Sequence, residues 1–362
     1  MRKSAAVLVG LCMALAGTAA AGQATGFIDV TFNLDMGQPL NGESRLRMYN
    51  AQADTFLLNT AHLAFDGSLG RGEVQYVVQL DMGTNALVDT TGTVPPTGVA
   101  FDIQEAYFTS VDSQTGVGLR VGKFASDMGI ERIESIENPT VTRGLLYNYG
   151  RPRTHTGAVV TLQTKEDLTL GVGAVNGWDV VVDNNQTLSL LAEVGYEERS
   201  YSFKLSYLSG PEQDVNDDDV RSLLDASLSL RLGSYAEVMA EFLSGSEVVG
   251  VNDVTWSGLG VYFTYTFDRG VKAGVRFESF DDAYVASAGA RILPGPGAGT
   301  APANGSSYKS LSLVGSFDIG NKRTARVEYR TDTADWNAFM DDAGAFTLDS
   351  QQTLSVQFLC KF

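Results

Sequence analysis

The chain has 362 residues, 44% of them hydrophobic and 10% aromatic, and a formal charge of −17 at neutral pH. Such acidity argues against nucleic-acid binding, which needs a basic footprint. Two histidines and two cysteines exclude a metal site built from cysteines or from paired histidines.

From the N-terminus, Arg2 and Lys3 precede an apolar run from Ala5 to Leu15, and Ala19, Ala20 and Ala21 supply small residues for cleavage before Gly22. Residues 1–21 therefore read as a cleaved export leader, which leaves 22–362 as a single domain. Cleavage removes Arg2 and Lys3, two positive charges, and takes the formal charge from −17 to −19. Cys12 leaves with the leader. Cys360 then stands alone, so no disulfide forms within one chain, and it reads as a small apolar residue. No later run is apolar and long enough for a spanning helix. The mean hydropathy of −0.03 instead fits strands that are apolar only at alternate positions.

Period-2 alternation predicts sixteen strands, near 26–36, 55–67, 72–83, 101–112, 116–125, 154–164, 167–177, 187–197, 199–209, 222–232, 234–244, 255–267, 271–281, 308–319, 323–332 and 351–362. Their connections alternate in length. Short ones such as 68–71, 112–115, 165–167, 197–199, 233–234, 268–270 and 320–322 separate long ones such as 84–100, 125–153, 210–221, 282–307 and 333–350. Short turns at one end and long loops at the other are the asymmetry of bacterial outer-membrane barrels, and an even strand count leaves both termini in the periplasm.

The two faces of each strand differ as lipid requires. One set carries Val74, Tyr76, Val78 and Leu80; another Leu188, Leu190, Ala192 and Val194; another Tyr201, Phe203, Leu205 and Tyr207. Leu259, Val261, Phe263, Tyr265 and Phe267, and then Val271, Ala273, Val275 and Phe277, repeat the pattern. Mid-strand these sets hold no charge, as expected where an Arg or Lys at the bilayer midplane costs roughly 2–4 kcal/mol. The opposite faces carry Glu73, Gln75, Gln79 and Asp81, then Glu237 and Glu241, then Lys272, Arg276 and Glu278, then Arg326, Glu328 and Arg330. In the last strand Leu354, Val356, Phe358, Cys360 and Phe362 share the apolar face against Thr353, Ser355, Gln357 and Lys361, with Leu359 the one breach. The terminal Phe362 reads as the assembly signal of the class. The expected fold is all-β: a transmembrane antiparallel up-and-down β-barrel of about sixteen strands in the Gram-negative outer membrane. A soluble barrel with an apolar interior would leave the leader and the terminal Phe unexplained.

Sixteen strands enclose more space than side chains fill. A polar lumen of that width holds water and passes small hydrophilic solutes by passive diffusion, without cofactor or catalysis. A solute-specific channel and a plugged structural or adhesive barrel are the rival readings. A lipid enzyme has least support, because no Ser-His pairing is visible and both His62 and His155 fall on lumen-facing positions. Selectivity belongs to whatever narrows the tube. The candidate is 125–153 with its flanks, which mixes Asp127, Glu131, Glu134 and Glu137 with Lys123, Arg132, Arg143, Arg151 and Arg153. Opposed rows of acid and base would set up a transverse field across a constriction. The apolar stretch Gly144–Tyr149 suits bulk solvent poorly and favours folding inward.

This segment also carries a resemblance. Gly122-Lys123-Phe124, then Glu134-Ser135-Ile136-Glu137-Asn138-Pro139, Arg143, and Thr154-His155-Thr156-Gly157 resemble the signature of the OmpL-like β-barrel porin family, as does Ile103-Gln104-Glu105-Ala106-Tyr107 upstream. The motif-specific part covers about 100–160. The resemblance implies a porin-like barrel and brings no catalytic residues.

Three remaining features receive modest readings. The acidic stretch 212–219 mimics a calcium loop at Asp214, Asn216 and Asp218, but lacks its Gly and closing Glu; it reads as a solvated loop sharing divalent ions with lipopolysaccharide. Residues 293–307 read as a flexible Pro/Gly/Ala-rich loop. Trp178, Trp256 and Trp336 fall near the long-loop ends of strands and read as membrane-interface anchors. Expected partners are outer-membrane lipid and lipopolysaccharide, the barrel-assembly machinery, periplasmic chaperones and small hydrophilic solutes. The outer faces single out no contact patch, so monomer and homo-oligomer both stay open.

Overall fold

The computed structural model describes residues 20–362 apart from 71–72, 93, 95–96, 165–166, 268–269 and 284–304, with side chains from residue 23 onward. The leader expected over 1–21, with Cys12, falls almost wholly outside the described residues, as does most of 293–307.

Sixteen antiparallel strands close on themselves. They are β1 (Ala20–Asp35), β2 (Thr55–Leu69), β3 (Val74–Gly83), β4 (Ala100–Val111), β5 (Val117–Ala125), β6 (Thr154–Gln163), β7 (Leu168–Val175), β8 (Ser189–Glu197), β9 (Tyr201–Gln213), β10 (Asn216–Leu232), β11 (Ala236–Val249), β12 (Asn252–Thr266), β13 (Val271–Ala283), β14 (Ser306–Asp318), β15 (Arg323–Ala334) and β18 (Ser350–Lys361). Neighbours in sequence are neighbours in the wall, and β18 pairs with both β15 and β1. Closure matters because an open edge would leave backbone polar groups facing hydrocarbon. At the seam Val30 lies opposite Phe358 and Phe32 opposite Val356, so alternation places these four together on the outer face. A short pair, β16 (Phe339–Met340) and β17 (Phe346–Leu348), forms its own small sheet.

The predicted faces are seen on β12 and at the seam, whereas Leu80 of the expected outward set is buried. Leu259, Val261, Phe263, Tyr265 and Phe267 are exposed outward, while Asp29, Thr31, Asn33, Thr353, Ser355 and Gln357 are buried inside. Leu359, the one breach in the last strand's polar face, is likewise buried. Cys360 is exposed on the outer wall. Glu73 and Lys272 are exposed, Glu73 in the turn before β3 and Lys272 at the start of β13.

Several expected strand ends move: β1 begins at Ala20 instead of near 26, and two hairpins rise higher than expected. The supposed loop 210–221 is the top of a tall hairpin in which β9 and β10 turn across Asp214 and Val215, the latter with φ 59°. Residues 245–254 rise in the same way, and β11 turns into β12 at Gly250 and Val251. Above the hydrocarbon both faces of a strand meet water, so strand pairing continues there after the apolar alternation has ended. The acidic stretch 212–219 is therefore mostly strand.

Long connections fill much of the interior. Residues 36–54 turn inward and bury Leu46, Arg47 and Tyr49. Helix α1 (Thr84–Thr91) buries Ala86 and Val88. Residues 126–153 run across the lumen and bury Met128, Val141, Leu145, Leu146 and Tyr147.

Candidate functional site: the inward loop and its wall

The base of the loop is closed by the Ser126 amide, which donates to the Arg153 carbonyl at 2.7 Å. From there the loop's backbone is received by carboxylates projecting from the far wall. Asp225 of β10 accepts from the Gly129 amide at 2.9 Å, and Glu241 of β11 from Ile130 at 2.8 Å. Glu278 of β13 accepts from Leu145 and Leu146 at 2.9 and 3.3 Å. Glu328 of β15 accepts from Val141 and Thr142 at 2.6 and 3.1 Å. These are charge-assisted bonds, roughly twice as strong as neutral ones. Wall arginines answer the loop's carbonyls. Arg326 donates to Ser135 and Asn138 at 3.1 Å, and Arg330 to Arg143 at 2.8 Å. Two glycines make this approach feasible. A Cβ on Gly144 would enter the Glu278 carboxylate, and one on Gly129, whose φ is +67°, would meet Arg151 and Glu241.

Most of the charged residues proposed from the sequence fall into three groups. Glu131, Arg143, Arg151, Arg276, Glu278, Glu328 and Arg330 are buried at the loop–wall contact. Arg151 pairs with Glu241 at 3.2 Å and Arg276 with Glu131 at 2.6 Å. Arg143 stacks over Tyr49 at 4.4 Å, and Arg151 over Tyr147 at 4.9 Å. Burial opposes the Arg151 charge, but Glu241 and Asp225 outweigh it and raise its pKa. A second group faces open space: Arg132 and Glu237 line a cavity of about 860 Å³, and Lys123 and Arg153 line another of about 330 Å³. Glu134 and Asp81 form the third group and meet beside His62. Glu137 is exposed.

The larger cavity lies toward the short-turn end, between the loop and β4–β11, where Arg120, Lys204 and Arg231 face Asp127, Glu193 and Glu237. Arg120 pairs with Asp127 at 2.9 Å, and Lys204 donates to the Asp127 carbonyl at 2.9 Å. The smaller one lies toward the long loops. There Lys123 pairs with Asp102 at 3.1 Å, and Arg153 with Asp89 at 3.1 Å and Asp179 at 3.2 Å. Arg120, Lys204 and Asp225 escaped the sequence list, although the alternation that flagged Arg276 places them inward too. Arg47, Asp89 and Asp179 carry no comparable signal, because irregular loops have no period.

The tryptophans require a correction. Trp256 is buried inside the barrel, and its indole N–H donates to the Gly150 carbonyl at 2.9 Å. Trp178 packs edge-on against it at 6.1 Å, and Trp336 donates to the Tyr308 hydroxyl at 3.3 Å. All three pack with the loop's apolar residues in one cluster, rather than in a lipid-facing girdle. Sequence position near strand ends could not tell the inner face from the outer. The structure also brings His155 Nε2 to 3.2 Å from Ser126 Oγ. His155 Nδ1 faces the Gly177 carbonyl at 3.4 Å instead of a carboxylate, and both residues are buried.

The family model described as "Putative beta-barrel porin-2, OmpL-like" matches residues 23–362. No curated protein matches the chain by sequence. Among solved structures, the outer membrane channel DcaP of Acinetobacter baumannii is similar at a TM-score of 0.64 and 12% identity, covering 95% of this chain and 98% of its own. An anion-selective porin from Comamonas acidovorans gives 0.63 and 9%, covering 94% and 99%. The trimer form of Vibrio cholerae OmpT, an outer membrane protein, gives 0.61 and 10%, covering 95% and 100%.

Proposed function

This chain belongs to the OmpL-like β-barrel porin family, and we propose that its barrel passes small hydrophilic solutes through the one side of the lumen that the inward loop leaves open. The supporting observation is the division of the interior. Asp225, Glu241, Glu278, Glu328 and Arg330 of β10–β15 fasten the loop, whereas the short-turn end of β4–β11 keeps a charged cavity of about 860 Å³. Arg120, Lys204 and Arg231 opposite Asp127, Glu193 and Glu237 supply a transverse field of the kind that sieves solutes by charge. The buried loop residues then position the constriction, and the cavity-lining residues meet the solute.

The leader-like pattern over 1–21, Phe362 and the outward apolar wall support export with cleavage before Gly22, reception by the assembly machinery and contact with lipopolysaccharide. Association as a homo-oligomer is favoured by the trimer form of the similar V. cholerae protein. A non-enzymatic role is favoured by the burial of the Ser126–His155 contact, which leaves no room for a substrate.

Liposome swelling with sugars of graded size tests the transport reading. Rates that fall with size and rise linearly with concentration are expected. Saturation at low concentration would replace the general pore with a solute-specific channel.

A further inference from the structure

Away from the loop's fastenings on β10–β15, three side chains with metal-ligating atoms converge on the opposite wall. His62 of β2, Asp81 of β3 and Glu134 of the inward loop bring one ligand atom each within 4.8 Å of one another. His62 Nδ1 lies 2.7 Å from Asp81 Oδ1 and 3.6 Å from Glu134 Oε2. All three residues are buried, and Glu134 keeps only 9% of its surface. The His62 ring is held by stacking on Phe27 at 4.8 Å.

Glu134 is the anomaly. Its Oε1 is buried with no hydrogen-bond partner, and among the described residues its ion-pair contact is His62 alone. The loop's other buried carboxylate, Glu131, receives Arg276, Thr140 and the Gly144 amide. A buried carboxylate oxygen without a donor, beside a second carboxylate, carries a desolvation cost that a cation would remove.

We propose that His62, Asp81 and Glu134 bind a divalent transition-metal ion, which ties the inward loop to β2 and β3. One imidazole nitrogen and two carboxylate oxygens suit zinc and its neighbours in chemical character. Two carboxylates balance the charge of a dication, and water completes the coordination. Ligands about 2.0–2.1 Å from a tetrahedral zinc lie about 3.3 Å apart, inside the 2.7 to 4.8 Å range observed. The ion takes the place of the hydrogen bond between His62 Nδ1 and Asp81 Oδ1, and the neutral imidazole then carries its proton on Nε2.

The test is zinc binding by the full-length barrel, stripped with chelator and folded in detergent, followed by calorimetry and metal analysis. One zinc per chain is expected. Glu134→Gln should weaken binding at least tenfold while the barrel stays folded, and Glu137→Gln, at an exposed loop carboxylate, should not. Absence of stoichiometric binding by the folded barrel, or binding that Glu134→Gln leaves intact, would overturn the site. Should Glu134→Gln fail to fold, Co²⁺ added to the unaltered chain decides. Intense visible absorption from a low-coordinate nitrogen–oxygen site supports the proposal, and the pale spectrum of hydrated six-coordinate cobalt refutes it.

Discussion

Arg276 of β13 and Glu131 of the inward loop form an ion pair at 2.6 Å with both side chains wholly removed from solvent. Arg276 donates again to Thr140 at 2.8 Å and to Ser312 at 3.0 Å. Removing one partner of a buried pair strands the other charge and costs about 3–5 kcal/mol, whereas an apolar replacement of both is often near neutral. Glu131→Ala should therefore loosen the loop while leaving strand pairing untouched. Limited proteolysis should cut within 126–153 in this variant, and Glu131→Leu combined with Arg276→Met should recover much of the protection. Equal resistance of the single variant and the unaltered chain would show that the pair does not hold the loop.

Ion preference should follow exposure to the cavity instead of membership of the loop. Arg120 and Lys204 line the open side, while Arg143 and Arg151 are buried. Arg120→Glu with Lys204→Glu should shift the reversal potential in a salt gradient toward cations. Arg143→Gln should shift it little and act mainly on the stability of the loop. A large shift from Arg143→Gln alone would place the solute path through the loop's interior.

Phe362 closes the barrel through its backbone, donating to the Gly26 carbonyl at 2.9 Å and accepting from the Gly26 amide at 3.3 Å. Its ring lies over Gly26, where a Cβ would come within 2.6 Å of the ring and 2.5 Å of the His62 carbonyl. Deleting Phe362 should reduce the heat-modifiable barrel in the outer membrane. Gly26→Leu should impair closure in the same assay with the terminal residue intact. Normal amounts of folded barrel from the deletion would contradict an assembly role for Phe362.

Tryptophan emission offers a separate check on the interior. With Trp256 and Trp178 packed together inside, brominated lipid should quench fluorescence only weakly. Trp256→Phe removes the bond to the Gly150 carbonyl and should cost about 1 kcal/mol for the lost hydrogen bond, with further loss from the smaller ring. Strong lipid quenching would return these residues to the membrane interface.

The barrel was legible in the sequence because each strand has one face in lipid and one in water. Leu259 to Phe267 and Leu354 to Phe362 show that alternation, broken on the inner face only by Tyr262 and Leu359. The tops of β9 to β12 were not legible, since Pro211 to Asp219 meet water on both faces and lose the period while keeping strand pairing. The charges that hold the loop were visible as inward residues, yet their partners were not. Alternation tells that Glu278 faces inward but says nothing of the Leu145 amide it receives. Glu134 beside His62 and Asp81 joins three distant segments, so no local spacing could reveal that convergence.

Single-channel recording in a planar bilayer, comparing the full-length chain with one lacking residues 128–151, decides whether this loop narrows an open pore. Discrete ohmic steps are expected from the complete barrel, and clearly larger steps once the inward loop is removed. Silence from a demonstrably folded complete barrel, or equal conductance from the two, would contradict a porin narrowed by this loop.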